Sequence, residues 1–391
     1  MTVSRKAPMA EAGAARGPIG CPPELRSSLV DLIDEVFRPG MEAAFPHLLA
    51  EENLENCRVT VADGKVVSHI GYIVSDVTIL GAPLRVACLG AVGTLEACRG
   101  QGYATAEFTD CLRRMESQGV HLLMVSGGRS LYQRNHCMRV GRDFGCSIDA
   151  GDAAGLAGGA TIEPIGRERI DEVIEIQRLE PVRFVRTREL WLQAVDWLAD
   201  SWRAGEVLGI STSGGGALAA YVIVVSPNDK GWLRVMEYGG SRAAIAAALG
   251  AIIERTGAKT IGLHVPGWDA QMLALLRSAG QELSPASSSG TQRIVNFREL
   301  MERLRPVLAE RAGAKTAAAL EFGESGGPDD GEFTVRLGDS ELVIPDRDVL
   351  VKLLFGTQDD EERGVLSGSP AAEALGRCLP VPALNYGISY V

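Results

Sequence analysis

The chain has 391 residues, of which 46% are hydrophobic and 23% charged, which is enough for two or three domains with apolar cores. Acidic residues outnumber basic ones by 50 to 39, and the net charge is −11. A surface of that sign repels phosphate backbones and anionic lipids, so we expect no nucleic-acid and no membrane partner, and we favour a small cationic molecule or peptide.

Cysteine and histidine usage excludes two further classes of protein. The eight cysteines contain no Cys-x-x-Cys pair, and the five histidines are dispersed. We therefore expect no disulfide framework, no metal site and a cytoplasmic location. No apolar run approaches the roughly 20 residues that span a bilayer. Residues 1–20 lack the apolar core of a signal peptide and are interpreted as a disordered tail.

The first segment alternates strands with amphipathic helices. Asp63-Gly64 separates two strand-like runs and is a hairpin signal. The predicted elements are a helix at 25–37, strands at 57–62, 66–74 and 84–94, a helix at 105–118 and a strand at 120–126.

The middle segment repeats part of this order, with a strand at 233–238, a helix at 243–256 and a strand at 260–265. An internal duplication is the simplest explanation. Between strand and helix the first copy has a long glycine-rich loop, whereas the second copy has only a short link. The Gly/Ala stretch 151–159 and the Ser-rich stretch 284–290 are interpreted as loops. The tryptophans at 191–202 have helical spacing and predict a core.

The last segment predicts a small α+β domain. It contains a helix at 297–308, strands at 332–337 and 341–344, and a helix that begins after the N-cap Asp346 and ends at Gly356. The apolar C-terminal residues 379–391 are expected to pack against the protein.

The loop between the strand 84–94 and the next helix has the composition of an anion site. Glycines let backbone N–H groups turn inward, and a helix start adds partial positive charge, which together suit a diphosphate. Arg99 can add a charge-assisted hydrogen bond. The alternative is an ordinary glycine-rich turn before a helix. Neither a Walker loop nor the dinucleotide fingerprint is present.

With that strand and helix in place, the loop resembles the acetyl-CoA-dependent GNAT N-acetyltransferases. Their pyrophosphate motif, Arg/Gln-x-x-Gly-x-Gly/Ala, is met by Arg99, Gly102 and Ala104. The order of segments resembles the enhanced-intracellular-survival (Eis) type, which joins two GNAT modules to a sterol-carrier-like domain. The resemblance implies an α/β fold with mixed sheets. It divides the chain into a tail (1–20), a catalytic GNAT domain (21–155), a degenerate GNAT domain (156–296) and a sterol-carrier-like domain (297–391).

The resemblance also implies which residues hold acetyl-CoA. The strand end would contact the acetyl and pantetheine groups, and the loop would hold the diphosphate. The strand-end residues are Val92, Gly93 and Thr94, and the loop residues are Arg99, Gly100, Gln101, Gly102, Tyr103, Ala104 and Thr105.

Two groups are candidates for catalysis by resemblance. Tyr132 matches the family's general acid: attack of an amine on a thioester expels a thiolate, which a phenol of pKa about 10 can protonate. The alternative is a tyrosine packed at a strand end. In Eis-type enzymes the C-terminal carboxylate, here that of Val391, enters the active site, where it helps to deprotonate the substrate ammonium through water and holds and orients it. The alternative is a carboxylate merely near the surface.

The end of the first helix borders the acceptor pocket in relatives, so Asp34, Glu35 and Phe37 are weak candidates for binding a cationic substrate, with a solvated helix end as the alternative. His136 and Cys137 replace the family's Gly-Phe and are interpreted as packing residues.

The predicted function is therefore acetyl transfer from acetyl-CoA to a primary amine of a small cationic molecule or a lysine side chain by direct attack. The alternative is a non-catalytic acyl-CoA- or lipid-binding protein. By analogy with the Eis type, the protein is expected to form a homo-oligomer, a hexamer.

Overall fold

A computed structural model of the protein describes residues 15–156, 158–200, 204–212, 216–325 and 331–389. Contacts within the chain divide it into two compact units. Unit 1 holds the described residues of 1–74 together with 87–120, and unit 2 holds 75–86 and the described residues of 121–390. Within these described ranges, no helix combines the length and apolarity that crossing a membrane requires.

The predicted α/β class is confirmed. The strands are β1 (Arg16–Gly20), β2 (Cys57–Ala62), β3 (Lys65–Ile79), β4 (Ala82–Thr94), β5 (Leu122–Val125), β6 (Asp143–Asp149), β7 (Ala160–Pro164), β8 (Val182–Phe184), β9 (Gly205–Thr212), β10 (Ala220–Val225), β11 (Trp232–Gly240), β12 (Thr260–Val265), β13 (Ser284–Ala286), β14 (Thr291–Ile294), β15 (Leu320–Ser325), β16 (Glu332–Leu337) and β17 (Ser340–Ile344). The helices are α1 (Arg26–Val36), α2 (Met41–Ala44), α3 (Tyr103–Ser117), α4 (Ser130–Arg134), α5 (Ala150–Leu156), α6 (Ile170–Arg178), α7 (Arg188–Asp200), α8 (Arg242–Thr256), α9 (Ala270–Ser278), α10 (Phe297–Arg303), α11 (Arg305–Ala312), α12 (Ala314–Ala319), α13 (Arg347–Phe355) and α14 (Pro370–Cys378).

In unit 1, antiparallel strands β1, β2 and β3 are followed in the sheet by β4. The predicted hairpin is confirmed, because Ala62 pairs with Lys65 and the turn residues Asp63 and Gly64 both have positive φ. Helix α3 packs on β1 and β2. The apolar face of α1 contributes Leu29, Leu32 and Ile33 to the core of this unit.

The predicted disordered tail was too long. Arg16–Gly20 forms β1, which pairs with the edge of β2, and Ile19 packs against the core. The strand forms because its backbone groups are paired with those of β2. The sequence of this short Gly/Pro segment contains no pattern that would predict the pairing. The first fourteen residues of the predicted tail lie outside the described part of the chain.

Unit 2 contains a second sheet in the order β13-β6-β12-β11-β10-β9-β7. The repeated strand–helix–strand order is present, with β11 and β12 parallel on either side of α8 in the chain. The predicted tryptophan core is confirmed at Trp191, which is fully buried against Tyr221. Trp202 lies outside the described residues.

Two strands pair away from their neighbours in sequence. β6, which follows α4 in the chain, pairs with β12 and β13 in the second sheet. β14, which follows β13, pairs instead with β5. The strands of each sheet therefore do not form one continuous stretch of sequence.

Three element predictions were wrong. The predicted loop at 284–290 begins with the strand β13, because Ser284–Ala286 pairs with β6, a partner far away in the sequence. The predicted loop at 151–159 contains α5, because Asp149 and Asp152 cap each other's backbone N–H groups and Ala153 is buried. The predicted helix at 297–308 is two helices, α10 and α11. Pro306 lies in the first turn of α11, and it cannot donate the hydrogen bond that would continue α10.

The last segment forms the small sheet β15-β16-β17 with the surrounding helices α10 to α14. The predicted cap is confirmed, since the Asp346 carboxylate accepts a hydrogen bond from the Val349 N–H at 2.8 Å. The predicted packing of the apolar C-terminal segment is confirmed as far as Ser389. Val381, Leu384 and Tyr386 are buried.

Candidate functional site

The end of β4 is irregular just before the residues predicted to meet the cofactor. Ala91 has a φ of +49°, and its carbonyl lies 2.8 Å from Nδ1 of His69 on β3. Burial lowers the pKa of His69 to about 4, so the ring is neutral and Nδ1 donates to this carbonyl. The bend turns the Ala91 carbonyl toward a side chain and sets the course of the backbone through Val92, Gly93 and Thr94.

The loop after β4 ends in two glycines with left-handed backbone. Gly100 and Gly102 have φ values of +79° and +81°, and a Cβ at either position would meet no atom within 4 Å. Arg99 and Gln101 are exposed beside them. Arg99 Nε donates to the Thr94 carbonyl at 3.2 Å, which ties the loop to the strand end.

Helix α3 begins directly after this loop, two residues earlier than predicted. Its N-cap is Gly102, and no described side chain caps it. The first intrahelical hydrogen bond runs from the Ala106 N–H to the Gly102 carbonyl. The N–H groups of Tyr103, Ala104 and Thr105 are those that lack intrahelical acceptors in any helix, and they lie next to an exposed loop. This is the geometry of an anion site.

The end of α1 lies against β4. A Cβ on Gly93 would come within 3.1 Å of Val36 Cγ1 and 3.5 Å of Phe37 Cε2, so a larger residue there would require Val36 to move by a few tenths of an ångström. The Phe37 side chain is 44% exposed. Asp34 accepts hydrogen bonds from the N–H groups of Gly40 and Met41, so its carboxylate fixes the turn into α2. Glu35 is exposed.

One functional candidate escaped the sequence analysis. Glu107 of α3 is fully buried, and its carboxylate accepts hydrogen bonds from the hydroxyls of Thr60 (2.7 Å) and Ser68 (2.8 Å). Burial raises its pKa to about 7, although the two hydroxyls lower it. The signal in the sequence was a carboxylate one helical turn before the buried Cys111, on the apolar face.

Tyr132 lies in unit 2, on α4, and is 7% exposed. Its ring packs beside Gly127, where an added Cβ would come within 3.1 Å of Cε2. His136 has a φ of +58°, and its Nδ1 lies 2.8 Å from an Asp348 carboxylate oxygen. Burial raises the pKa of Cys137 to about 12. These contacts fit the interpretation of His136 and Cys137 as packing residues.

Val391 lies outside the described residues. The chain before it is anchored in unit 2. Arg186 donates to the Ser389 hydroxyl and forms a two-pronged ion pair with Glu237. Gly387 approaches Glu237 so closely that a Cβ would overlap the carboxylate.

The N-terminus of α8 in unit 2 is built differently from that of α3. Ser241 caps it by accepting from the Ala244 N–H. The Glu180 carboxylate accepts from the Gly240 N–H and from the buried Arg242 guanidinium, each at 2.7 Å. Arg242 also donates to Asp269 at 2.8 Å. Side chains of the protein itself thus accept from the N–H groups of Ala244 and Gly240 at this helix end.

Comparison with known proteins relates the part of the chain that contains this loop and helix to a protein family. Residues 26–135 match the acetyltransferase (GNAT) domain family. The protein is accordingly an acyltransferase, with an α/β domain of a type that binds acyl-CoA and acts on amines. Among proteins with curated descriptions, none matches the chain.

Solved structures resemble the fold over nearly the whole chain. A probable N-acyltransferase from Enterococcus faecalis V583 shares 17% identity at a TM-score of 0.67, covering 94% of this chain and 97% of its own. A GCN5-related N-acetyltransferase from Anabaena variabilis ATCC 29413 shares 16% at 0.64, with 94% and 97% covered. Eis1 from Mycobacterium abscessus shares 14% at 0.61, with 95% and 99% covered. At these identities the likeness concerns the fold.

Proposed function

We propose that this protein is an N-acetyltransferase of the Eis type, which transfers the acetyl group of acetyl-CoA to a primary amine of a small cationic molecule or a lysine side chain. The observation that carries the proposal is the uncapped N-terminus of α3 beside the exposed loop, within the part of the chain that matches the GNAT domain. The net charge of −11 favours a cationic acceptor.

In this proposal the loop and helix start hold the diphosphate of the cofactor. The N–H groups of residues 103–105 donate to phosphate oxygens, and Arg99 adds a charge while its Nε remains on the Thr94 carbonyl. Gly100 and Gly102 leave the approach open because neither has a side chain. The backbone of residues 92–94 binds the pantetheine and acetyl groups.

The chemistry is a direct attack. The neutral amine adds to the thioester carbonyl carbon, and the backbone N–H near Val92 stabilises the negative charge on the carbonyl oxygen. The carbon–sulfur bond then breaks, and the Tyr132 phenol donates its proton to the leaving thiolate. Before the attack, the substrate ammonium, held by the Val391 carboxylate, gives one proton to water and becomes the neutral amine. After the attack, the nitrogen gives a second proton to water, and the Tyr132 phenolate regains its proton from solvent. No covalent enzyme intermediate is needed.

The proposed domain organisation follows the Eis type. It comprises a catalytic GNAT domain at 21–155, a degenerate GNAT domain at 156–296 and a sterol-carrier-like domain at 297–391. The closed end of α8 supports the degenerate assignment, because the position corresponding to the anion site is filled by Glu180 and Arg242. We also propose a cytoplasmic homo-oligomer, a hexamer by analogy.

The test is release of CoA from acetyl-CoA across a panel of polyamines, aminoglycosides and lysine-containing peptides. Tyr132→Phe is expected to lower kcat by about 100-fold, while the affinity for acetyl-CoA stays within twofold. The matched control is Tyr72→Phe, which removes another buried phenol hydroxyl, one bonded to Gln118, and should leave kcat unchanged. Acetyl-CoA binding without CoA release from any amine would favour the non-catalytic alternative.

A second pair of variants tests the C-terminus. Deletion of Val391 moves the terminal carboxylate by one residue and should raise KM for the amine and lower kcat. Val391→Ala keeps that carboxylate in place and should behave as the wild type. Equal activity of the two variants would remove the C-terminal carboxylate from the mechanism.

A further inference from the structure

Glu107 is a buried carboxyl group that the proposed reaction does not use. It is fully buried and, among the described residues, forms no ion pair within 4.0 Å. Its side-chain partners are two hydroxyls, Thr60 on β2 and Ser68 on β3, and the backbone of Thr60 also donates a hydrogen bond to it. A buried carboxyl without a cation is costly to ionise, so a fold that retains one often gives it a role.

A chain of hydrogen bonds leads from this carboxyl to the edge of the cofactor loop. Ser68 Oγ lies 2.8 Å from Glu107 Oε2 and 2.8 Å from Thr94 Oγ1. The Thr94 carbonyl in turn accepts from Arg99 Nε at 3.2 Å. Thr60, by contrast, touches the other carboxylate oxygen at 2.7 Å and provides no such link to Thr94.

The protonation of Glu107 decides the direction of this chain. An ionised carboxylate only accepts, so Ser68 must donate to it and Thr94 must donate to Ser68. A protonated Glu107 can donate to Ser68, which then donates to Thr94. In that arrangement Thr94 accepts from Ser68, so the Thr94 hydroxyl no longer donates to Ser68 and can donate to another acceptor.

We infer that Glu107 is a positioning residue for acyl-CoA: through Ser68 it sets the orientation of the Thr94 hydroxyl and the hold of the strand end on Arg99. The inference rests on the proposed function. With Glu107 protonated, Thr94 can donate to an oxygen of the cofactor, which tightens acyl-CoA binding at lower pH.

The surroundings leave Glu107 as the group that titrates near neutral pH. Burial raises its pKa to about 7. Burial lowers the pKa of His69 to about 4 and raises those of the nearby thiols, that of Cys57 to about 12 and that of Cys111 well above its ordinary range. Arg58 on β2 is paired with Asp110 of α3 at 2.6 Å, and Arg16 on β1 is exposed.

The experiment compares Ser68→Ala with Thr60→Val in the full-length protein. Each removes one hydroxyl from the same carboxylate, but only Ser68 connects it to Thr94. The dissociation constant of acetyl-CoA is measured by calorimetry between pH 5.5 and 8.5, with kcat and KM determined in parallel. In the wild type we expect binding to weaken about tenfold as pH rises through 7.

Ser68→Ala should bind about fivefold more weakly than the wild type at pH 5.5 and lose the pH dependence. Thr60→Val should keep the pH dependence. Glu107→Gln, whose amide donates like the protonated acid, should bind at all pH values as the wild type does at pH 5.5. This conservative variant keeps the inference testable if the alanine variant folds poorly.

The outcomes separate the two proposals. A wild type that binds no acetyl-CoA overturns the proposed function and this inference together. A wild type that binds acetyl-CoA without pH dependence, or equal behaviour of Ser68→Ala and Thr60→Val, overturns this inference alone.

Discussion

The N-termini of α3 and α8 show how the same local element can serve as a binding site or as a structural joint. Each helix follows a strand in the repeated order, and each is preceded by a glycine with positive φ, Gly102 or Gly240. At α3 no described side chain caps the helix, and the loop before it is exposed. At α8, Ser241 is the cap and the Glu180 carboxylate accepts from the Gly240 N–H.

The difference teaches that an anion site requires donors that the protein has left without acceptors. The α8 end has a cation as well, Arg242, but Glu180 and Asp269 neutralise it, and its guanidinium lies over the Tyr238 ring at 5.1 Å. Burial opposes its charge, yet the two carboxylates outweigh burial and raise its pKa. At α3 the arginine of the loop, Arg99, stays exposed.

The largest expected effect is a loss of stability when Glu180 is removed from the N-terminus of α8. Glu180→Ala leaves Arg242 buried with Asp269 alone and the Gly240 N–H without its acceptor, and it should lower the free energy of unfolding by about 3–5 kcal/mol. Chemical denaturation measures this change. Glu206→Ala, which breaks an exposed pair with Arg255 of the same helix, should cost about 1 kcal/mol or less. Similar losses in both variants would contradict a structural role specific to the Glu180 pair.

The second effect concerns pH. Burial raises the pKa of Glu107 from 4.5 to about 7, so between these values the folded protein holds a proton that the unfolded chain has released. The free energy of unfolding therefore falls as pH rises through this window, by about 3 kcal/mol.

Glu107→Gln should be more stable relative to the wild type at pH 8 than at pH 5 by about that amount. Denaturant unfolding at the two pH values provides the comparison. Glu254→Gln, an exposed glutamate of α8, should show no such change between the same pH values. A wild type whose stability changes with pH as that of Glu107→Gln does would show that Glu107 is ionised throughout.

The third effect is a loss of acetyl-CoA affinity when a carboxylate is placed at the N-terminus of α3. Gly102→Asp and Gly102→Asn both tolerate left-handed backbone, but only aspartate places a carboxylate at the α3 N-terminus, as Glu180 does at α8. Acetyl-CoA should bind at least about tenfold more weakly to the aspartate variant than to the asparagine variant, because the added charge repels the diphosphate. Calorimetry measures both. Equal affinities would place the diphosphate elsewhere.

The smallest effect tests the cap of α8. Ser241→Ala removes the acceptor of the Ala244 N–H and should lower the free energy of unfolding by about 1 kcal/mol. Ser241→Thr keeps the hydroxyl and should restore most of the loss. Acetyl-CoA affinity should be unchanged in both variants, and a change would link this helix end to the cofactor.

Local signals in the sequence predicted much of the fold. The bounds of β2 and β12 agree with the predicted strands, because apolar residues and nearby glycines mark the strand ends locally, whatever strand each one pairs with. The Asp346 cap was likewise readable, since its partner is three residues away. The prediction of a loop at 151–159 was wrong because it rested on the high glycine content of the stretch. The reciprocal capping pair Asp149 and Asp152, which favours a helix, was not considered.

Long-range pairings could not be predicted in the same way. β14 pairs with β5, more than 160 residues earlier in the chain, and nothing in either run of residues specifies the partner. The candidate site shows the same limit. Arg99, Gly102 and Ala104 were found as a motif, whereas Glu107 was missed because its partners Thr60 and Ser68 lie on other strands.

By itself the sequence determined the strand–helix–strand order around α3 and α8, the acidic charge and the glycine-rich loop, because each is fixed by composition or by residues close together in the chain. Only the tertiary structure decided which helix end stays open and which is closed. That choice depends on distant side chains such as Glu180, 62 residues from Arg242, whose burial and hydrogen bonding arise when the chain folds.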